Sequence, residues 1–160
     1  MAKTSVHSFQ LENLTPDEAL ALLSSAEFEI RQTAGQDGNQ SCKVVEKSRD
    51  ENTLVYELQT VEYAKGITGI DRTSTINTTT LVTWDLKRRS SRWEYSGPHG
   101  KRAKVSGGTQ ITAAGDGSHV RTQLDVEIKV PLIGRKIEDM VIKGTEKHWP
   151  TYEKLVRAGL

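Results

Sequence analysis

The sequence predicts an α+β fold: a strongly curved antiparallel sheet of about seven strands wrapped around one long C-terminal helix. Three observations carry this reading. From Cys42 to Val130, apolar residues alternate with polar ones through successive short segments, as in strands with one dry face and one wet face. Turn-forming clusters separate those segments. After Pro131 the apolar spacing changes to three and four residues and stays so to about Arg157.

Taken in order, Thr4 to Leu11 forms a first strand with Val6, Phe9 and Leu11 as its apolar members. A helix start follows. Thr15 is the capping residue, Pro16 takes the first helical position and Glu18 completes a capping box. Leu20, Leu22 and Leu23 give this helix a buried side as far as about Ser25. The stretch Thr33 to Gln40 is rich in turn formers and reads as a loop. Strands are then expected at Cys42–Lys47, Thr53–Tyr63, Thr78–Lys87, Arg92–Ser96, Lys104–Ala113 and His119–Val130. Gly66 to Asn77 is irregular and reads as a loop leading into a strand. Asp50-Glu51-Asn52 and Gly115-Asp116-Gly117 mark tight hairpins, Gly97-Pro98-His99-Gly100 a longer one, and Gly107-Gly108 a bulge.

The closing helix, taken to start at Pro131, buries Ile133, Ile137, Met140, Val141, Gly144, His148, Tyr152, Leu155 and Val156. Arg135, Glu138, Asp139, Lys143, Glu146, Lys147 and Lys154 fill its wet face. Pro150 removes one backbone bond from the helix interior, at a cost of about 3 kcal/mol. Periodicity continues on both sides of it, so a kink rather than a stop is expected.

Totals narrow the function. The 160 residues fit one domain, residues 1–160, with a single core, and 22 basic against 21 acidic residues leave a net charge of +1. That balance, with a pI near 7.9, gives no electrostatic case for nucleic acid. Cys42, the lone cysteine, excludes a disulfide framework and reads as a structural thiol on a strand. The N-terminal segment lacks the apolar core of a signal peptide, and no apolar run approaches the roughly 18 residues of a membrane span. The expected compartment is the cytoplasm.

The order of strand, short helix, six consecutive strands and long helix resembles the START-like superfamily, also called SRPBCC. That superfamily includes the birch pollen allergen and polyketide cyclase/dehydrase proteins. The stretch Val130-Pro131-Leu132-Ile133-Gly134-Arg135-Lys136-Ile137-Glu138 is similar to the strand-to-helix junction of a largely uncharacterised bacterial branch. The resemblance implies a helix-grip fold and a pocket for a lipid, sterol, polyketide or other apolar molecule. Two departures stand out: the proline at position 150, and a polar region after the first helix, where Phe28 and Ile30 form at most a remnant of a second helix.

If a pocket lies between sheet and helix, the residues of apolar parity line it: Tyr56, Leu58, Val82, Trp84, Trp93, Tyr95, Leu124, Val126, Ile137, Met140, Val141 and Gly144. Such a stripe is ordinarily core, so each residue also has a plain packing role. Gly144 reads as a point of close helix–sheet approach or as one that opens space, the first being favoured. No catalytic motif appears. Asp85 and Glu94 fall on the parity opposite Trp84 and Trp93, His99 sits in a turn, and His148 reads as a partly buried histidine. The four histidines lack metal-ligand spacing, and neither metal nor cofactor is expected.

Function therefore divides into a binding protein for an apolar or amphipathic small molecule, a pocket enzyme of the cyclase, aromatase or dehydratase kind, and a co-chaperone-like interaction module. Enzymatic activity is the less favoured side of that division. Lys87, Arg88, Arg89, Arg92, Lys101, Arg102 and Lys104 form a basic hairpin. It reads as a solvated edge, a contact for an acidic partner, or a peripheral contact with an anionic membrane.

Overall fold

The computed structural model describes residues 2–66 and 68–159. Its elements run β1 (Lys3–Leu11), α1 (Pro16–Leu23), α2 (Ala26–Ala34), β2 (Asn39–Arg49), β3 (Thr53–Gly66), β4 (Gly69–Asp85), β5 (Ser90–Ser96), a short 3-10 turn at Gly100–Arg102, β6 (Ala103–Ala114), β7 (Gly117–Ile128) and α3 (Gly134–Ala158). All seven strands form one antiparallel sheet in the order β1-β7-β6-β5-β4-β3-β2. Strand, short helices, six-strand meander and long closing helix make the α+β helix-grip architecture.

Local chemistry explains where elements begin. The Thr15 hydroxyl accepts from the Glu18 amide at 3.2 Å, and the Glu18 carboxylate accepts from the Thr15 amide at 3.1 Å. Ser25 caps α2 with one half of that device, accepting from the Phe28 amide at 3.2 Å. At the β2–β3 turn, one Asp50 oxygen takes the amides of Asn52 and Thr53, both at 2.8 Å.

Several expectations are corrected. A second helix, α2, stands where a remnant and a loop were expected, and it buries Phe28, Glu29 and Thr33. Gly66–Asn77, apart from Ile67, which lies outside the described residues, belongs mainly to strand. Ala64, Lys65 and Gly66 pair with Asp71, Ile70 and Gly69. The α3 helix begins at Gly134 rather than Pro131. Pro131 to Ile133 form a turn in which Leu132 takes φ 71°, a left-handed conformation that costs a leucine on the order of 1–2 kcal/mol. The helix then runs unbroken through Pro150 for 25 residues.

Gly107 and Gly108 keep regular pairing with both neighbours, so no bulge forms there. Their need for glycine is steric. A Cβ on Gly107 would sit 2.1 Å from the Gln123 carbonyl oxygen and 2.6 Å from the Trp93 ring, and one on Gly108 would sit 2.4 Å from the Ser91 carbonyl oxygen. Bare backbone lets the strands approach this closely.

The core lies between the concave face and the helices. Phe9 of β1, Phe28 of α2 and Tyr152 of α3 meet edge to face, with the Phe28 and Phe9 ring centroids 5.8 and 6.2 Å from that of Tyr152. The Trp149 indole donates to Ser5 Oγ at 2.9 Å, and His7 lies 3.0 Å from Glu153, fastening α3 over β1. Glu138, assigned above to the wet face, is buried. Its Oε2 accepts the Ile128 amide at 2.8 Å, supplying an acceptor to a backbone donor where the strand ends.

Candidate functional site: the concave face under the closing helix

Register threads the inner face into rows. One runs Tyr56, Val82, Trp93, Gly107, Leu124, and its neighbour runs Leu58, Thr80, Tyr95, Val105, Val126. Ten of the expected lining residues fall into two groups. Tyr56, Leu58, Val82, Trp84 and Val126 are sealed in the core. Trp93, Tyr95 and Leu124 of the sheet, with Ile137 and Val141 of α3, are only half-buried.

The remaining two are on the helix. Met140 and Gly144 are exposed, and a Cβ on Gly144 would meet nothing within 4 Å. Gly144 is thus no point of close helix–sheet approach. Sealing is tight where α2 and the C-terminal half of α3 converge, and incomplete toward the N-terminal half of α3.

Two polar networks lie on the same face, and both centre on carboxylates missed in the sequence. The Tyr56 hydroxyl donates to Glu29 Oε2 at 2.8 Å, and the Trp84 indole donates to the Tyr56 oxygen at 3.0 Å. Burial pushes the Glu29 carboxyl up to about 7, against the lowering effect of the Tyr56 and Gln32 hydrogen bonds. Tyr56 is held well above its ordinary range, first by burial and then by the Glu29 charge.

In the second network Glu62 Oε2 accepts from the Thr78 hydroxyl and, at 2.9 Å, from the Tyr95 hydroxyl. Lys65 approaches Oε1 at 3.5 Å. Burial raises the Tyr95 phenol, and the neighbouring Glu62 charge adds to it. Glu62 shares parity with Tyr56, Leu58 and Thr60, a signal that the sequence contains. Glu29 offered none, because its helix was not foreseen.

The other titratable candidates separate cleanly. Glu94 lies on the outer face, and Asp85 caps the β4–β5 turn by accepting the Lys87 and Arg88 amides at 3.1 and 3.0 Å. His99 is exposed beside the 3-10 turn. His148 lies one helical turn before Tyr152 on the inward face. Its Nε2 is buried without a partner, and burial lowers its basicity. Cys42 sits on β2 with its thiol pushed up by burial, an inert group.

The basic hairpin does not form one patch. Lys87, Arg88 and Arg89 lie at one end of β5, while Lys101 and Arg102 lie at the other, roughly 23 Å of strand away. Arg89 is also paired with Asp17 at 2.8 Å.

A groove of about 310 Å³ opens on the convex face around Gly108, between Arg92, Glu94, Gln110, Arg121, Gln123 and Asp125. Its charged walls do not suit an apolar guest. A smaller cleft of about 160 Å³ lies between Ala2, Lys3, Arg135 and Glu138. Among the described residues there is no cluster of three or more metal-ligating side chains, and no helix is long and apolar enough to cross a membrane.

The fold is shared widely among solved structures. TTHA0849 from Thermus thermophilus superposes with a TM-score of 0.67 at 17% identity, over 98% of this chain and 95% of that one. The Zhui aromatase/cyclase from a Streptomyces species gives 0.65 at 10% identity, over 99% and 93%. A START superfamily protein from Mycobacterium smegmatis gives 0.60 at 16%, over 97% and 94%. These likenesses establish the START-like, or SRPBCC, fold. No curated protein matches in sequence. A family model does, over residues 7–158, and the chain accordingly belongs to the family described as Protein of unknown function (DUF2505).

Proposed function

We propose that the protein binds an apolar or amphipathic small molecule, such as a lipid, a sterol or a polyketide-like compound, between the concave face and the N-terminal half of α3. The observation supporting this is unfinished sealing: Trp93, Tyr95 and Leu124 on the inner face of the sheet, and Ile137 and Val141 on α3, are only half-buried. Apolar surface left wet forgoes about 25 cal/mol per Å², which a guest covering it would recover. Tyr95 and Glu62 give that guest a polar end to meet, consistent with an amphipathic molecule. The fold shared with an aromatase/cyclase and a START protein is compatible with the same use.

Titration with the apolar fluorophore 1-anilinonaphthalene-8-sulfonate tests this reading. Saturable binding is expected, quenched in Leu124→Trp and Gly144→Trp variants whose unfolding transitions are unchanged. Absence of saturable binding in the parent protein, together with a ligand-free organic extract, would overturn it.

His148 favours a second reading, a pocket enzyme of the cyclase, aromatase or dehydratase kind. An imidazole whose basicity burial lowers, with an unpartnered nitrogen on the inward helix face, has the form of a general base. That reading requires His148→Ala to abolish turnover of a poly-β-ketone substrate while fluorophore binding persists.

A further inference from the structure

The turn between β7 and α3 presents one side chain under conditions that folding does not explain. Leu132 is 100% exposed and sits at φ 71°. A strained backbone holding an apolar side chain fully in water contributes to neither packing nor secondary structure, and such outliers point to use elsewhere.

Its surroundings are cationic. The Lys129 amide donates to the Arg102 carbonyl at 2.6 Å, which draws the β5–β6 loop against the β7–α3 turn. Lys101 and Arg102 from the loop thereby join Lys129 just past β7, and Arg135 and Lys136 follow in the first turn of α3, all five exposed. Lys129 pairs with Glu127 at 3.3 Å, whereas Lys101, Arg102, Arg135 and Lys136 have no ion-pair partner among the described residues. On a chain of net charge +1 this is a local concentration of positive charge. Lys101 and Arg102, read from the sequence as part of one hairpin, are regrouped here with cations from later in the chain.

We propose that this tip docks on an anionic lipid bilayer, with Leu132 entering the headgroup boundary and Lys101, Arg102, Arg135 and Lys136 facing the lipid phosphates. A specific protein partner typically needs about 800 Å² of complementary surface on each side. One protruding leucine with long, flexible cations on the adjoining segments offers no such shape. A fluid bilayer needs none, and it rewards this pairing of apolar wedge with cationic rim. The tip borders the incompletely sealed end of the concave face, yet docking does not depend on that face taking a ligand.

Co-sedimentation of the full chain with vesicles tests the proposal, using phosphatidylcholine alone or two parts phosphatidylcholine to one part phosphatidylserine. Binding at least tenfold stronger to the anionic vesicles is expected. It should be lost as salt rises from about 0.1 M to about 1 M, which shortens the Debye length from about 10 Å to about 3 Å. Lys101→Glu with Arg102→Glu should weaken it at least tenfold. Leu132→Gly should weaken it several-fold while leaving thermal unfolding unchanged or raised, since glycine accepts this φ. Lys87→Glu with Arg88→Glu, at the far end of β5, should leave binding intact. Failure to bind anionic vesicles at low salt overturns the proposal, as does equal loss in that far-end variant. Retention of an acidic protein at the tip without vesicle binding also overturns it.

Discussion

Tyr56 donates its phenolic hydrogen to Glu29 across the interior, 2.8 Å from Oη to Oε2, joining the central sheet to α2. The pair places a carboxyl with a folded-state pKa of about 7 in a site sealed from solvent.

Stability should fall as pH rises through the window between the ordinary carboxyl value of 4.5 and about 7. Below the window Glu29 is protonated in both states. Within it the unfolded chain releases the proton while the folded chain keeps it, so the folded state loses ground. At about 1.4 kcal/mol per unit the loss comes to about 3–4 kcal/mol and then levels off. Urea titrations at pH 4.5 and 7.5 should show this loss in the parent protein relative to Glu29→Gln. Parallel behaviour of the two proteins would contradict it.

Tyr56→Phe removes one hydroxyl and strands two partners, the Glu29 carboxyl and the Trp84 indole. Each buried group left unpaired costs about 1–3 kcal/mol. A loss of about 2–4 kcal/mol in denaturant stability is therefore expected, with the acid-to-neutral decline of Glu29 shifted to still higher pH.

Two glycine-to-alanine changes should act in opposite directions. Gly107→Ala drives a methyl into the Gln123 carbonyl and the Trp93 ring, and should cost about 1–3 kcal/mol or more. Gly144→Ala meets open space on an exposed helix face and should stabilise by about 1 kcal/mol through helix propensity. Thermal melts of the pair are a direct check.

Glu138→Ala leaves the Ile128 amide without its acceptor at the strand end. A loss of about 1–3 kcal/mol is expected, together with faster hydrogen exchange at Ile128.

Regular patterns are legible in the chain itself. Strict alternation marks β3 and β7, the threonine–proline–glutamate start marks α1, and helical spacing marks α3. Elements held by other forces are not legible in this way. The first half of β4, around Asp71 to Thr75, is polar and exposed on both faces. Its register with β3 shifts here, leaving Arg72, Thr73 and Ser74 without partners across the ladder, and Arg72 is held instead by Asp37 at 2.8 Å and by the Tyr63 ring, so the segment has no alternation to read. In α2 a glutamate and a threonine take buried positions beside Phe28, and partners from distant strands make that tolerable. Glu138 reads as a water-facing residue because charge on a helix is ordinarily solvated, whereas its carboxylate answers a strand-end amide that sequence cannot locate.

The candidate site is half legible. Parity places Trp93, Tyr95 and Leu124 correctly on the inner face, but not which of their neighbours are sealed. That depends on how far α3 stands from each row of the sheet, a tertiary property that strand parity does not carry.

The sheet order also governs the assembly of the molecule. Within the sheet, β1 has the last strand, β7, as its pairing partner: Phe9 faces Val120, and Lys3 faces Val126. During synthesis β1 must wait, with its backbone donors and acceptors answered only by water, until β7 has left the ribosome. Contacts of such long range are slow to form. The edge strand at the N-terminus is then the last to be secured, and the nascent chain is most open to mispairing or chaperone capture at that strand.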